Sequence, residues 1–168
     1  MKSLVIYFSH NGENYMSNGI RNIDKGNTEI VAEYISKITN SDLFKVETTY
    51  EYPYNYRKCC NKAKIELENN ERPELKEYIN LNKEYDTIYV GGPVWYGTYP
   101  MSIFAALDKL DLNGITIKPF TTHEGSGLGN TVYDLKRYYP KACIKEGLEI
   151  RGSSAIDSYK KIEKWCNE

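Results

Sequence analysis

The sequence predicts an α/β protein: a parallel sheet of five strands with helices packed on both faces. Two patterns carry that reading. Short apolar runs recur without the polar alternation of a half-exposed strand, as expected for strands covered on both sides. Between them lie segments whose apolar residues recur at helical spacing. The chain has 168 residues, which suits one domain spanning 1–168, since single domains mostly run ~100 to 200 residues.

The first strand is read at Leu4 to Phe8. Residues 28 to 39 follow with Ile30, Val31, Tyr34, Ile35 and Ile38 on one side and charged or hydroxyl residues opposite, a helix. Asp42 to Thr48 alternates as an edge strand does, and residues 57 to 80 read as a broken helical excursion with Pro73 inside it. Thr87 to Val90 is a third strand ending at Gly91 and Gly92, and Met101 to Leu110 a helix. Ile115 to Thr121 is a fourth strand, Thr131 to Tyr139 a helix and Leu148 to Arg151 a fifth strand, while Ile156, Tyr159, Ile162 and Cys166 mark a last helix. Pro119 conflicts with its strand, because proline donates no ladder hydrogen bond, so a bulge or a shifted register is expected there.

Composition narrows the function. A net charge of −1 gives no one-signed field to draw nucleic acid or an anionic membrane. The N-terminal apolar run is shorter than a signal peptide's apolar region, and no stretch approaches the ~20 apolar residues of a membrane span, so the cytoplasm is the expected location. Cys59, Cys60, Cys143 and Cys166 form no C-x-x-C, and no metal site is read from them. Sixteen tyrosines are the compositional outlier. Each supplies a flat face with a polar tip, suited equally to a ligand wall and to the edge of a core.

In a sheet of this kind ligands bind beyond the carboxyl ends of the strands, where strand order reverses. Three loops therefore matter. The first begins Ser9, His10, Asn11, Gly12 and reaches its helix at Gly26, Asn27, Thr28. It lacks G-x-G-x-x-G and G-K-[ST], which argues against a dinucleotide or a nucleoside triphosphate. A helix N-terminus with Ser, Asn and Thr can hold a phosphate, and equally can be an ordinary N-cap. The second loop, GGPVWYGTYP at 91–100, puts Trp95, Tyr96 and Tyr99 among glycines and prolines, either to stack a planar ligand or to fold over the sheet end. The third, THEGSGLGN at 122–130, is rich in glycine and presents backbone. Both histidines, His10 and His123, fall in these loops.

GNTEIVAEYI at 26–35, YEYPYNY with AKIELENNERPEL at 50–75, VGGPVWYGTYP and TTHEGSGLGN, in this order, resemble the flavodoxins and their flavodoxin-like relatives over essentially the whole chain. The resemblance implies a three-layer sandwich with strand order 2-1-3-4-5 and non-covalently bound FMN. It assigns phosphate contacts to Ser9, Asn27 and Thr28, with His10 and Asn11 beside them. It places Pro93, Val94, Trp95, Tyr96 and Gly97 along the ring, and Thr122, His123, Gly125, Ser126 and Gly127 at its pyrimidine end, where His123 is expected to donate to the ring. Residues 10 to 25 depart from the family loop, which leaves SHNGEN at 9–14 as a rival phosphate loop; Glu13 there would set a carboxylate beside a dianion.

The implied function is electron transfer through FMN with redox partner proteins. The near-neutral charge departs from the acidic carriers of the family, so the alternative is an FMN-dependent NAD(P)H oxidoreductase of the quinone or nitro-compound reductase type. No nucleic acid or membrane is expected as a partner, and the chain is a monomer or a homodimer. A phospho-receiver needs clustered acids at the ends of early strands, and the first strand ends in Ser9.

Overall fold

The computed structural model describes residues 2–81 and 84–168. Strand β1 (Lys2–Tyr7) is an inner strand of a parallel sheet. Helix α1 (Asn27–Thr39) connects it outward to β4 (Asp42–Lys45), and the chain then crosses back through α2 (Tyr56–Glu68) to β5 (Tyr85–Pro93) on the other side of β1. Helix α3 (Met101–Leu107), β6 (Thr116–His123), α4 (Thr131–Tyr138), β7 (Cys143–Ile144), β8 (Leu148–Arg151), a 3-10 turn (Gly152–Asp157) and α5 (Tyr159–Cys166) complete the domain. The sheet runs β4-β1-β5-β6, and β7 and β8 share the fifth position as two pieces of one edge, both parallel to β6. The expected order of five parallel strands is thus the observed one.

Two separate cores show why the strand runs are uninterrupted. Leu4, Ile6 and Phe8 join Ile88, Val90, helix α3 and Leu135 in one core, while Val5 and Tyr7 join Val31, Ile35, Ile162 and Trp165 in the other. Successive strand residues point to opposite faces, so a strand buried on both must be apolar at every position. Each such side chain contributes roughly 1.5 to 3 kcal/mol when fully buried.

Pro119 sits in β6 opposite Val90 without any shift of register against β5. The expected bulge in the fourth strand does not occur; the accommodation is on the other side. Ile117 accepts from Lys145 N–H at 2.8 Å, so alternate residues of β6, Pro119 among them, face the fifth position. That position is interrupted between β7 and β8, and the missing donor falls opposite the interruption.

Two other expectations change. Helix α2 ends at Glu68, five residues before Pro73, and Asn70 at φ 48° turns the chain away. Ile156 is exposed in the 3-10 turn, so the last helix begins at Tyr159 and its buried face starts at Ile162. The segment after β1 forms an antiparallel hairpin, β2 (Gly12–Met16) and β3 (Gly19–Ile23), that was not expected. Ser17 and Asn18 make its turn and Gly19 takes the positive φ of 109° that follows. Glu13 fastens the hairpin to the body: its N–H bonds Tyr54 O at 3.3 Å and its carboxylate accepts Tyr56 N–H at 2.8 Å. At the tip Ser17 N–H bonds Ser153 Oγ at 2.9 Å.

Candidate functional site

Strand order reverses between β1 and β5, and at their carboxyl ends the loops enclose a cleft of two adjacent spaces. The larger, about 320 Å³, is bounded by Asn27 at the start of α1, Pro93, Val94 and Trp95 after β5, Thr122 to Ser126 after β6, Gly152, and Asn14 and Tyr15 of the hairpin with Tyr56. The smaller, about 220 Å³, adjoins it across Asn14, Tyr56, Val94 and Trp95 and reaches toward α2. Both volumes together fall in the range of small-molecule sites, ~300 to 1,000 Å³.

Helix α1 gives this cleft an electropositive edge. Its N-cap is Gly26, which has no side chain to cap with; instead Ser9 reaches over from β1, and its hydroxyl accepts Glu29 N–H at 3.1 Å. A Cβ on residue 26 would lie 2.1 Å from that Oγ and 2.8 Å from His10 O, so the loop closes only with glycine. The N–H groups of Asn27 and Thr28 precede the first possible helical acceptor and remain free for an anion. Thr28 does not offer its side chain. It is buried, and its hydroxyl pairs with that of Thr122 at 2.7 Å. Ser9 Oγ accepts from the helix, and its O–H is left to donate. A phosphate here would therefore be held by backbone N–H groups, the Ser9 hydroxyl and the Asn27 side chain.

The aromatic wall is rigid. The Trp95 indole meets Phe8, Tyr52 and His10 edge-on, with centroids 5.1, 5.2 and 6.0 Å away. Trp95 and Thr98 exchange backbone hydrogen bonds at 2.8 and 3.4 Å around Tyr96 and Gly97, both at positive φ (52° and 86°), the signature of a type I′ turn. For a tyrosine that conformation is strained, and it leaves the Tyr96 ring half-exposed beside the cleft. Beneath the loop the buried Tyr99 hydroxyl donates toward Val90 O and Phe120 O, at 3.0 and 2.9 Å, tying the ends of β5 and β6 together. Tyr99 thus belongs to the scaffold.

At the third loop His123 is turned into the fold. Its Nδ1 accepts Gly125 N–H at 2.8 Å, which fixes the proton on Nε2, and Nε2 is hydrogen-bonded to Glu149. Burial opposes ionisation of Glu149, but hydrogen bonds from His123 and Lys161 outweigh it and hold its carboxyl below the ordinary value. With both ring nitrogens engaged by the protein, a donor from His123 to a ligand would have to come at the expense of its bond to Glu149. Glu124 next to it is the acid that lines the larger space. Its Oε1 accepts from Ser153 N–H at 2.7 Å; its Oε2 lies 3.6 Å from Arg151 with no hydrogen-bond partner.

The structure therefore brings Asn27, Pro93, Val94, Trp95, Thr122, His123, Gly125 and Ser126 to one space, and His10 and Tyr96 to the adjoining one. Asn11 faces a different depression with Lys45 and Glu47. Gly97 and Gly127 act through their carbonyls, which accept from Asn130 N–H at 2.6 Å and Thr121 Oγ1 at 2.9 Å. His10 donates from Nε2 to Pro53 O at 3.3 Å, and burial lowers its pKa, so it is neutral. Asn14 and Tyr15 were not expected on a hairpin, Tyr56 and Gly152 were not read as site residues, and Glu124 was read only as part of the third loop. The Asn18-Gly19 pair flanked by Tyr15 and Ile20 is a hairpin signal that could have found the first two.

The flavodoxin family model matches residues 2–168. The chain belongs to the flavodoxin family. Similar solved structures agree in fold. A flavoprotein of Bacteroides eggerthii is 26% identical, with TM-score 0.79 over 99% of this chain and 96% of that one. One of Bacteroides uniformis is 22% identical, with TM-score 0.78 over 99% and 98%. A Lactobacillus acidophilus flavoprotein solved in complex with FMN is 23% identical, with TM-score 0.64 over 95% and 98%. No match is found among curated proteins. Among the described residues of this flavodoxin-family chain, no helix is long and apolar enough to cross a membrane.

Proposed function

We propose that the chain binds FMN non-covalently in the larger space and transfers electrons through it. The observation that carries this is the pairing, in one cleft, of a free helix N-terminus with a fixed aromatic wall. The donor set suits a phosphate at Asn27 and Thr28, and the gap between the loops after β5 and β6 suits a planar ring beside Pro93, Val94 and Trp95, with Tyr96 and Gly97 at its rim and Thr122, Gly125 and Ser126 at its far end. Bound there, FMN supplies reversible one- and two-electron transfer. The protein contributes position, exclusion of water and local charge. Glu124, on the floor, adds a carboxylate that disfavours further negative charge on the ligand.

Redox partner proteins or NAD(P)H supply and remove the electrons, the protein works in the cytoplasm, and it is a monomer or a homodimer. The second reading, an NAD(P)H oxidoreductase acting on small molecules, is favoured by the adjoining 220 Å³ space, which a carrier that hands electrons to another protein does not need. The test is a titration of FMN-free protein with FMN, followed by flavin fluorescence. We expect a yellow complex with strongly quenched emission and weaker quenching in Trp95→Leu, because stacking and electron donation require the indole. A protein that stays colourless at micromolar FMN refutes the reading.

A further inference from the structure

We propose that the β2–β3 hairpin is a hinged wall of the larger space, latched at its tip through Ser153 to Glu124. Its opening sets how fast a ligand enters and leaves; that this ligand is FMN rests on the reading above. Asn14 and Tyr15 of the hairpin line the space, with Glu124 and Gly152 among its other walls. No residue from 12 to 23 belongs to either hydrophobic core. A two-stranded hairpin by itself is marginal in water, so ties to the body decide where this one sits. Segments with few buried apolar contacts are also the first to open in a folded chain.

The base of the hairpin is the hinge. Gly12 takes φ 88°, and a Cβ there would come within 2.9 Å of the Tyr54 ring, so the chain leaves the body through a position that requires glycine. Glu13 fastens this end to Tyr54 and Tyr56, and Asn14 reaches back to His10 O at 3.0 Å. From Tyr15 onward the hold is slight. Tyr15 is half-exposed with its ring centroid 6.3 Å from that of Tyr56, and the Asn27 amide meets Met16 Sδ, a weak acceptor, at 3.4 Å. On the returning strand Ile20, Arg21 and Asn22 are exposed. The tip is the latch. Ser17 N–H donates to Ser153 Oγ at 2.9 Å, while the Ser153 hydroxyl donates to Glu124 Oε1 at 2.5 Å and Ser153 N–H reaches the same oxygen at 2.7 Å. A carboxylate only accepts, so Glu124 fixes the Ser153 proton and leaves the Ser153 lone pairs to Ser17. Because Glu124 also lines the larger space, the latch is anchored on the site that the hairpin covers.

The hairpin carries its own probe. Arg21 is paired with Asn14 across the two strands, and trypsin can seat the chain around Arg21 only when the strands part. FMN-free protein is treated with trypsin, and cleavage after Arg21 is followed by mass spectrometry. Ser153→Ala removes the acceptor of Ser17 N–H and keeps the backbone bond to Glu124. Cleavage should become about fivefold faster, the equivalent of one neutral hydrogen bond in the population of the open hairpin. The same variant should take up and release FMN about fivefold faster, with Kd within about twofold, because the latch opens equally with the site empty or filled. Ser17→Pro breaks the same bond from the hairpin side if Ser153→Ala does not fold; residue 17 is exposed, its φ is not positive, and Met16 before it is already extended. Unchanged cleavage after Arg21 overturns the latch. Faster cleavage with unchanged flavin rates overturns the gate, and so does a Kd that weakens in step with dissociation alone, the mark of a fixed wall. Cleavage that depends on Ser153 in a protein that takes up no FMN refutes the flavin reading and upholds the latch.

Discussion

Thr28→Val separates a structural hydroxyl from a phosphate ligand. In the structure the Thr28 and Thr122 hydroxyls pair at 2.7 Å, with residue exposures of 2% and 4%. Valine keeps the branched shape and removes one partner, which leaves the Thr122 hydroxyl buried and unpaired at a cost of about 1 to 3 kcal/mol. Taking 2 kcal/mol and a urea slope of ~2 kcal/mol/M, the unfolding midpoint of FMN-free protein should fall by about 1 M, and Tm by roughly 4 to 8 °C for a domain of this size. Removing both hydroxyls, in Thr28→Val with Thr122→Val, should restore most of the loss, giving a coupling energy of about 1 to 2 kcal/mol. Ligand-free protein is required, because bound FMN would add its own stabilisation. Binding should respond differently: the ratio of FMN to riboflavin affinity should stay within about twofold, since the backbone N–H groups remain. A midpoint equal to that of the native chain, together with a selective loss of FMN over riboflavin, would mean that Thr28 turns to the phosphate and that the pairing described here is wrong.

Two further outcomes are expected. Burial lowers the His10 pKa below the value of 6.5 it has when exposed, so the unfolded chain binds the extra proton first and stability falls as pH drops below about 6.5; in His10→Gln, Tm measured from pH 7.5 to 5 should show a shallower decline, and an identical slope would remove His10 as its source. Tyr96→Asn should stabilise FMN-free protein by about 1 kcal/mol in urea unfolding, because asparagine tolerates positive φ better than tyrosine, and a destabilised variant would show that the Tyr96 ring contributes more than its backbone costs.

Much of this fold is written locally. Leu4 to Phe8 lacks alternation because both cores need it, and α1 is visible from Ile30 to Ile38 because one face packs on the sheet. Such signals lie within a dozen residues and survive in any context. What escaped depends on partners far along the chain. Nothing near Thr28 tells that its hydroxyl will meet Thr122, and nothing near His123 announces Glu149 beyond another turn of the fold. The site loops could be placed by topology, but which side chains face the cleft is decided by these distant pairings. Pro119 is the intermediate case. Its conflict with a strand was legible, whereas the accommodation belongs to residues 145 to 147 of the neighbouring edge.

The interruption opposite Pro119 also governs how the molecule meets copies of itself at high concentration. A sheet edge is an open template, and cross-β stacking generally needs six or seven contiguous residues. One rim here is β4, four residues long, ending in Lys45 and anchored by an Asp42–Lys2 ion pair. The opposite rim would run unbroken from 143 to 151, but it is cut into pieces of two and four residues, the longer carrying Glu149 and Arg151. Neither rim offers a length on which a foreign strand could nucleate. A proline that looks like a flaw in an inner strand thus keeps an outer one too short to recruit a neighbour, which guards a crowded solution of this protein against edge-to-edge aggregation.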